Sequence, residues 1–382
     1  MRIKKACLYI WNTVESGSFF AFMSTSQQAP ASNTLPADKP RYEWIDNARI
    51  VAALLIIYVH MPWFFHGELH VNNALADNLV RATTYYGRVP YFLILAGYFL
   101  ARRITWHKAF DRALWLLIPF VAWNVLYYLW LHMRFHTMDH IFVDFPSVVG
   151  FGALFTRDFG LFGLSADTPI ITVSWFLRDI IILSLLTPLL YPCRRFLLIL
   201  LVIICSFSES SVQPDTSVML SPGTCFYYLL GVCLVDFRIA DAYRILNKRF
   251  TPFLIVGFLG AVAICCYTIL NGMQPLTATL VGGLFGALMI AHCGVLIETH
   301  LPRLSKWLAP CGPACFLVFM LHEPIFLMGA WLLPKWLTGS WVIWLIPIPV
   351  CAAIICLFLL MKRLAPWLLP YLGHMKMPKK AS

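Results

Sequence analysis

Long apolar stretches, most of them of the length a helix needs to cross hydrocarbon, recur along this chain between short polar connections. They lie near residues 47–66, 85–101, 113–133, 170–191, 196–207, 221–236, 251–270, 276–297, 312–334 and 339–361, the fifth and sixth being short. The alternating polar and apolar pattern of an outer-membrane strand is missing. The pattern predicts an all-α, polytopic membrane protein with about ten transmembrane helices.

Composition agrees with this reading. Of 382 residues, 60% are hydrophobic and only 12% are charged, about half the charge fraction of a soluble protein. Lys and Arg give the direction. With the N-terminus cytoplasmic, all but seven of the 29 basic residues fall in the tails or inner loops. Arg102, Arg103 and Lys108 form one such run, and Arg238, Arg244, Lys248 and Arg249 another. The outer loops hold Arg81, Arg134, Arg157 and Lys335, while Arg49, Arg88 and Arg178 lie at membrane depth. Both termini are therefore expected in the cytoplasm, which an even number of spans allows. The net charge of +11 is thus a topology signal, and no nucleic-acid surface is read from it.

Residues 1–40 read as a flexible cytoplasmic tail. The run CLYIW is too short for the apolar core of a signal peptide and Glu15 follows it, so Met23 is a candidate for the true start. Residues 41–365 form the expected transmembrane domain and 366–382 a basic cytoplasmic tail. The twelve cysteines lie mostly within apolar spans without paired zinc spacing, and read as small buried hydrophobes. Cys311 and Cys315 are spaced to share one helix turn. No internal repeat of the kind many transporters carry is visible.

Ionisable residues within the apolar stretches carry the candidate chemistry, since each is costly at bilayer depth. Arg49 and His60 stand out in the first stretch. Ten residues separate them, and eleven steps of about 100° return a helix to nearly the same face. They share one stripe, roughly 16 Å apart along the axis, and Asp46 falls near it. A neutral imidazole is suited to taking a proton from a hydroxyl and returning one later. Arg88 opens the second stretch, where Ala96 and Gly97 allow close helix approach. Ser174-Trp175-Phe176-Leu177-Arg178-Asp179 opens the fourth, with Arg178 and Asp179 placed either to neutralise each other or, with Trp175, to meet a sugar ring. Phe319-Met320-Leu321-His322-Glu323-Pro324 puts a His-Glu pair at mid-membrane before a proline able to open a local cavity. His132, His136 and His140 recur every four residues, but at the outer end of the third span, where a wet loop is expected; His66 and His70 read the same way. No metal site is assigned.

Together these motifs resemble the acyltransferase-3 family of integral membrane acyltransferases, which includes enzymes that O-acetylate bacterial surface polysaccharides. Trp44-Ile45-Asp46 with Arg49 and His60 resembles the family's basic residue, ten-residue spacer and histidine. Tyr91-Phe92 to Ala96-Gly97-Tyr98-Phe99 is similar to its aromatic and Ser-Gly-Tyr element, and Arg112 before Pro119 to the basic helix start that follows. Ser174 to Leu177, with Pro188 after them, resembles the Trp-Phe-Leu segment, and Phe319 to His322 the late histidine block. The matches run in order over residues 41 to about 330. Two positions depart: Ile50 stands where glycine is usual, and Ala96 replaces the serine, which removes any serine-based role there. With no soluble domain after the last span, the resemblance is to the single-domain form.

The resemblance implies an O-acyltransferase of the bacterial inner membrane that uses cytoplasmic acyl-CoA, with acetyl-CoA first among donors, as co-substrate and no bound cofactor. The acceptor would be a hydroxyl of a surface or periplasmic glycan or lipid-linked sugar. On this reading His60 is the general base or a transient acyl carrier, Arg49 holds the donor or a carboxylate, and Asp46 orients Arg49. Arg103 and Arg112 would bind donor phosphates. Arg88, Trp175, Arg178, His322 and Glu323 would line the acceptor side or acyl path. Expected partners are membrane lipids, acyl-CoA and the glycan, with a homo-oligomer open and no nucleic acid. The rival readings are a transporter or flippase for a lipid-linked sugar and a non-catalytic partner in polysaccharide synthesis.

Overall fold

The computed structural model describes residues 42–65, 87–102, 104–137, 172–207, 220–246, 251–270, 276–332 and 344–372. Among these residues 92% are helical and none lies in a strand. The main helices are α1 (Glu43–Phe65), α2 (Arg88–Ala101), α3 (Trp106–Thr137), α4 (Trp175–Leu190), α5 (Arg194–Phe207) and α6 (Pro222–Cys233). They continue with α7 (Ile239–Ile245), α8 (Thr251–Leu270), α9 (Leu276–His300), α10 (Pro302–Leu308), α11 (Cys315–Leu332) and α12 (Pro347–Leu364). Each of the ten apolar stretches meets a helix. Four helical segments, Trp106–Tyr127, Leu280–His300, Pro302–Phe326 and Pro347–Leu364, are long and apolar enough to cross a membrane among the described residues.

Helix packing follows from small residues, because lipid tails solvate apolar side chains as well as a protein core does. α2 crosses α6 at backbone distance. A Cβ on Gly97 would stand 2.2 Å from the Tyr228 carbonyl oxygen, and one on Gly231 would stand 2.1 Å from the Ile94 carbonyl oxygen. The Ala96-Gly97 pair is therefore a packing element, as its composition predicts. α1 lies as closely on α9, where Gly294 meets the Trp44 carbonyl and the Ala48 side chain.

Polar clamps fix the first turn of α1, whose backbone N–H groups have no partner within the helix. The Trp44 N–H donates to Glu298 Oε2 at 2.9 Å. Asn47 Nδ2 donates to Ser305 Oγ at 2.7 Å, and that hydroxyl donates to Glu43 Oε2 at 3.0 Å. α11 packs on the other side of α1, and a 3₁₀ turn, Ala309–Ala314, leads into it.

Two element ends differ from the hydropathy reading. α3 is longer than the apolar window on both sides and reaches Thr137, so positions 132 and 136 lie on its last turns; His140, His66 and His70 fall outside the described residues. Residues 366–372, read from the sequence as part of the basic tail, form a 3₁₀ turn and a short helix against the helices. Leu369 is buried there, and Trp123 Nε1 donates to the Leu372 carbonyl at 3.0 Å.

Candidate active site

Two clusters lie along α1, one at each end of the Arg49–His60 stripe. The first surrounds a cavity of about 460 Å³ whose walls are mostly apolar. Arg49 and Arg112 both line it. Arg49 Nη1 donates to Asp46 Oδ1 at 3.0 Å, and its guanidinium sits 5.9 Å from the centre of the Phe99 ring, so its direction is set from two sides. Asp46 is held in turn by Gly312 in the 3₁₀ turn, where a Cβ would come within 2.5 Å of Asp46 Oδ1. Arg112 comes from α3, and no carboxylate pairs with it among the described residues. Its charge and that of Arg49 are close enough to oppose each other. Two guanidinium groups on one apolar cavity, only one of them neutralised, make a place for an anionic group at the end of a long apolar ligand.

The second cluster is a histidine pair. The rings of His60 on α1 and His322 on α11 stand 5.0 Å apart between centroids, tilted by 49°. His322 is fully buried, and its Nδ1 lies 3.0 Å from the Val318 carbonyl. A carbonyl only accepts, so Nδ1 carries the proton and Nε2 presents a lone pair. That Nε2 atom is buried and has no hydrogen-bond partner. Arg88, buried at the start of α2, lies near enough for its charge to act on both imidazoles. His60, His322 and Arg88 come from three helices, and the fold brings them together.

An aromatic layer joins the clusters. Phe92 of α2, Phe176 of α4 and Phe319 of α11 all line the cavity. Phe176 meets Phe92 at 6.3 Å and Phe319 at 5.3 Å between ring centroids, and Phe319 meets His322 at 6.3 Å. Neither histidine lines the cavity. No local pattern announces this layer. Each ring does belong to a motif noted in the sequence, Tyr91-Phe92, Trp175-Phe176 and the block from Phe319 to His322, and that membership is the signal available.

The remaining predicted residues fall around this frame. Arg178 is buried and Nε donates to Asp179 Oδ1 at 3.1 Å; Asp179 Oδ2 also accepts from the Leu220 N–H at 3.3 Å. The pair neutralises itself and ties α4 to the turn before α6, away from the cavity lining. Trp175 is half-buried, edge-on to Phe176. Glu323 Oε2 accepts from the Val173 N–H at 3.4 Å, and Asn124 Nδ2 donates to Ser174 Oγ at 3.2 Å, so α11 and α3 together seat the start of α4 and aim Phe176. Arg103 lies outside the described residues. Cys311 and Cys315 are buried free thiols, Cys315 in the cavity wall. No group of three or more metal-ligating side chains occurs among the described residues.

A family model described as an acyltransferase domain matches residues 42–363. No curated protein and no solved structure matches the chain.

Proposed function

The chain belongs to the acyltransferase-3 family, and on that footing we propose that it moves an acyl group, acetyl first, from cytoplasmic acyl-CoA to a glycan hydroxyl at the outer face. The observation that carries this reading is the cavity with Arg49 and Arg112 on an otherwise apolar wall. Its shape and charge suit a pantetheine arm with a phosphate at its mouth. The positive-inside count puts that end of α1 toward the cytoplasm, in an inner membrane crossed by about ten helices with both termini inside.

In this scheme the thioester end of the donor points from the guanidinium groups toward the histidine pair. His60 takes the proton of the acceptor hydroxyl as its oxygen attacks the thioester carbonyl. The C–S bond breaks, an ester C–O bond forms, and the proton passes from His60 to the leaving thiolate, giving free CoA. Arg88, whose charge acts on both imidazoles, is the cation available to the oxyanion that develops on the carbonyl. His322 and Trp175 border the side from which the acceptor comes.

Purified protein in lipid nanodiscs, given labelled acetyl-CoA and an envelope extract, tests the scheme. Wild type should transfer label and release CoA. His60→Ala should lose about 10²–10⁴-fold in rate while inserting and purifying normally. Retained transfer by the folded variant removes His60 from the chemistry. Movement of a sugar lipid without CoA turnover would make the chain a transporter.

A further inference from the structure

We propose that Phe319, backed by Phe176 and Phe92, is the gate that decides how long an acyl group reaches the histidine pair. The inference rests on the reading of the cavity as the donor site and adds a selectivity element to it. Phe319 lines the cavity, and its ring meets that of His322 at 6.3 Å between centroids. Arg49 and His60 lie roughly 16 Å apart along α1, so a donor anchored at the guanidinium groups must send its acyl end past that ring. Neither imidazole lines the cavity, and Phe319 is shared between the cavity wall and the His322 ring.

The layer is built to be stiff. Its three rings come from three helices and touch in tilted or edge-on contacts of 5.3 and 6.3 Å, the geometry aromatic pairs favour. Glu323 and Asn124 fix the segment that carries Phe176, and Gly97 locks α2, which carries Phe92, against α6. A long acyl chain would have to displace ring surface fixed by packing on both sides, whereas a two-carbon group needs only a small ring rotation. The gate thus gives a physical basis for the acetyl-first donor of the proposed function, with acetyl before butanoyl and hexanoyl.

The test compares acetyl-, butanoyl- and hexanoyl-CoA in nanodiscs with an envelope extract, reading the CoA release that His60→Ala abolishes. CoA affinity, measured alongside, reports that each variant keeps its donor pocket. Wild type should prefer acetyl over hexanoyl by about tenfold or more, since each methylene at a tight apolar site is worth about 10- to 200-fold. Phe319→Ala should raise the hexanoyl-to-acetyl ratio by about fivefold or more with CoA affinity kept. A smaller rise, with wild type active, overturns the gate and leaves the donor reading standing. Should Phe319→Ala fail to purify, Phe319→Leu and Phe176→Leu are held to the same threshold. Absence of His60-dependent release from every acyl-CoA in wild type sinks the donor reading and the gate with it.

Discussion

Replacing Arg112 by glutamine separates a donor-binding cation from a structural one, because the two roles predict opposite signs. Arg112 has no carboxylate partner among the described residues and faces the charge of Arg49 across one cavity. It shares one cavity with a second guanidinium, and no carboxylate among the described residues holds it in place. In the donor complex it is a charge-assisted hydrogen-bond donor, worth about 1.5–3 kcal/mol. At 1.4 kcal/mol per decade that corresponds to a loss of about 10- to 150-fold in donor affinity. Glutamine removes the charge and the guanidinium fork and leaves a shorter, neutral amide that still donates hydrogen bonds. The expected result is a KM for acetyl-CoA raised by that factor, a kcat within a few-fold of wild type, and a thermal midpoint in detergent unchanged or higher. Added salt should weaken donor binding to wild type more than to the variant. An unchanged KM, or a clear fall in the midpoint, would refute the assignment and make Arg112 a packing residue.

Two further outcomes follow from the packing and the buried ion pair. Gly97→Ala should destabilise the protein by about 1–3 kcal/mol, because its Cβ would press on the Tyr228 carbonyl, whereas Gly260→Ala, whose Cβ meets nothing within 4 Å, should leave the melting midpoint in place. Asp179→Asn should destabilise the protein by removing the buried carboxylate that Arg178 Nε donates to, and Arg178→Met with Asp179→Leu should recover most of that stability. If the double variant is as stable as wild type yet inactive, Arg178 touches the acceptor after all.

Helix positions were legible because hydrocarbon imposes a length and a composition on whatever crosses it, and each of the ten apolar stretches meets a helix. Facing was not legible. A residue turned to lipid and one turned to the core are equally apolar, so Phe196 and Ile199, exposed on α5, look like the buried Ile56 and Ile57 of α1 in composition alone. The Arg49–His60 stripe could be read because polar residues break that uniformity, and the helix period then places them on one face. That Arg112 would join Arg49, and His322 join His60, depends on crossings between helices far apart in sequence, which no local pattern encodes. Arg178 shows the converse: its neighbour Asp179 made an ion pair readable, and the structure pairs them.

The clamp on the first turn of α1 carries a consequence for biogenesis. Trp44, Asn47 and Glu43 find their partners 254, 258 and 262 positions later, on α9 and α10, and His60 meets its companion ring on α11. A ribosome therefore threads nearly the whole polypeptide into the bilayer before the helix bearing Arg49 and His60 can be seated. Until then a nascent chain has neither a closed cavity nor a paired imidazole. Synthesis order thus makes this site one of the last features to form, complete only when α11 arrives.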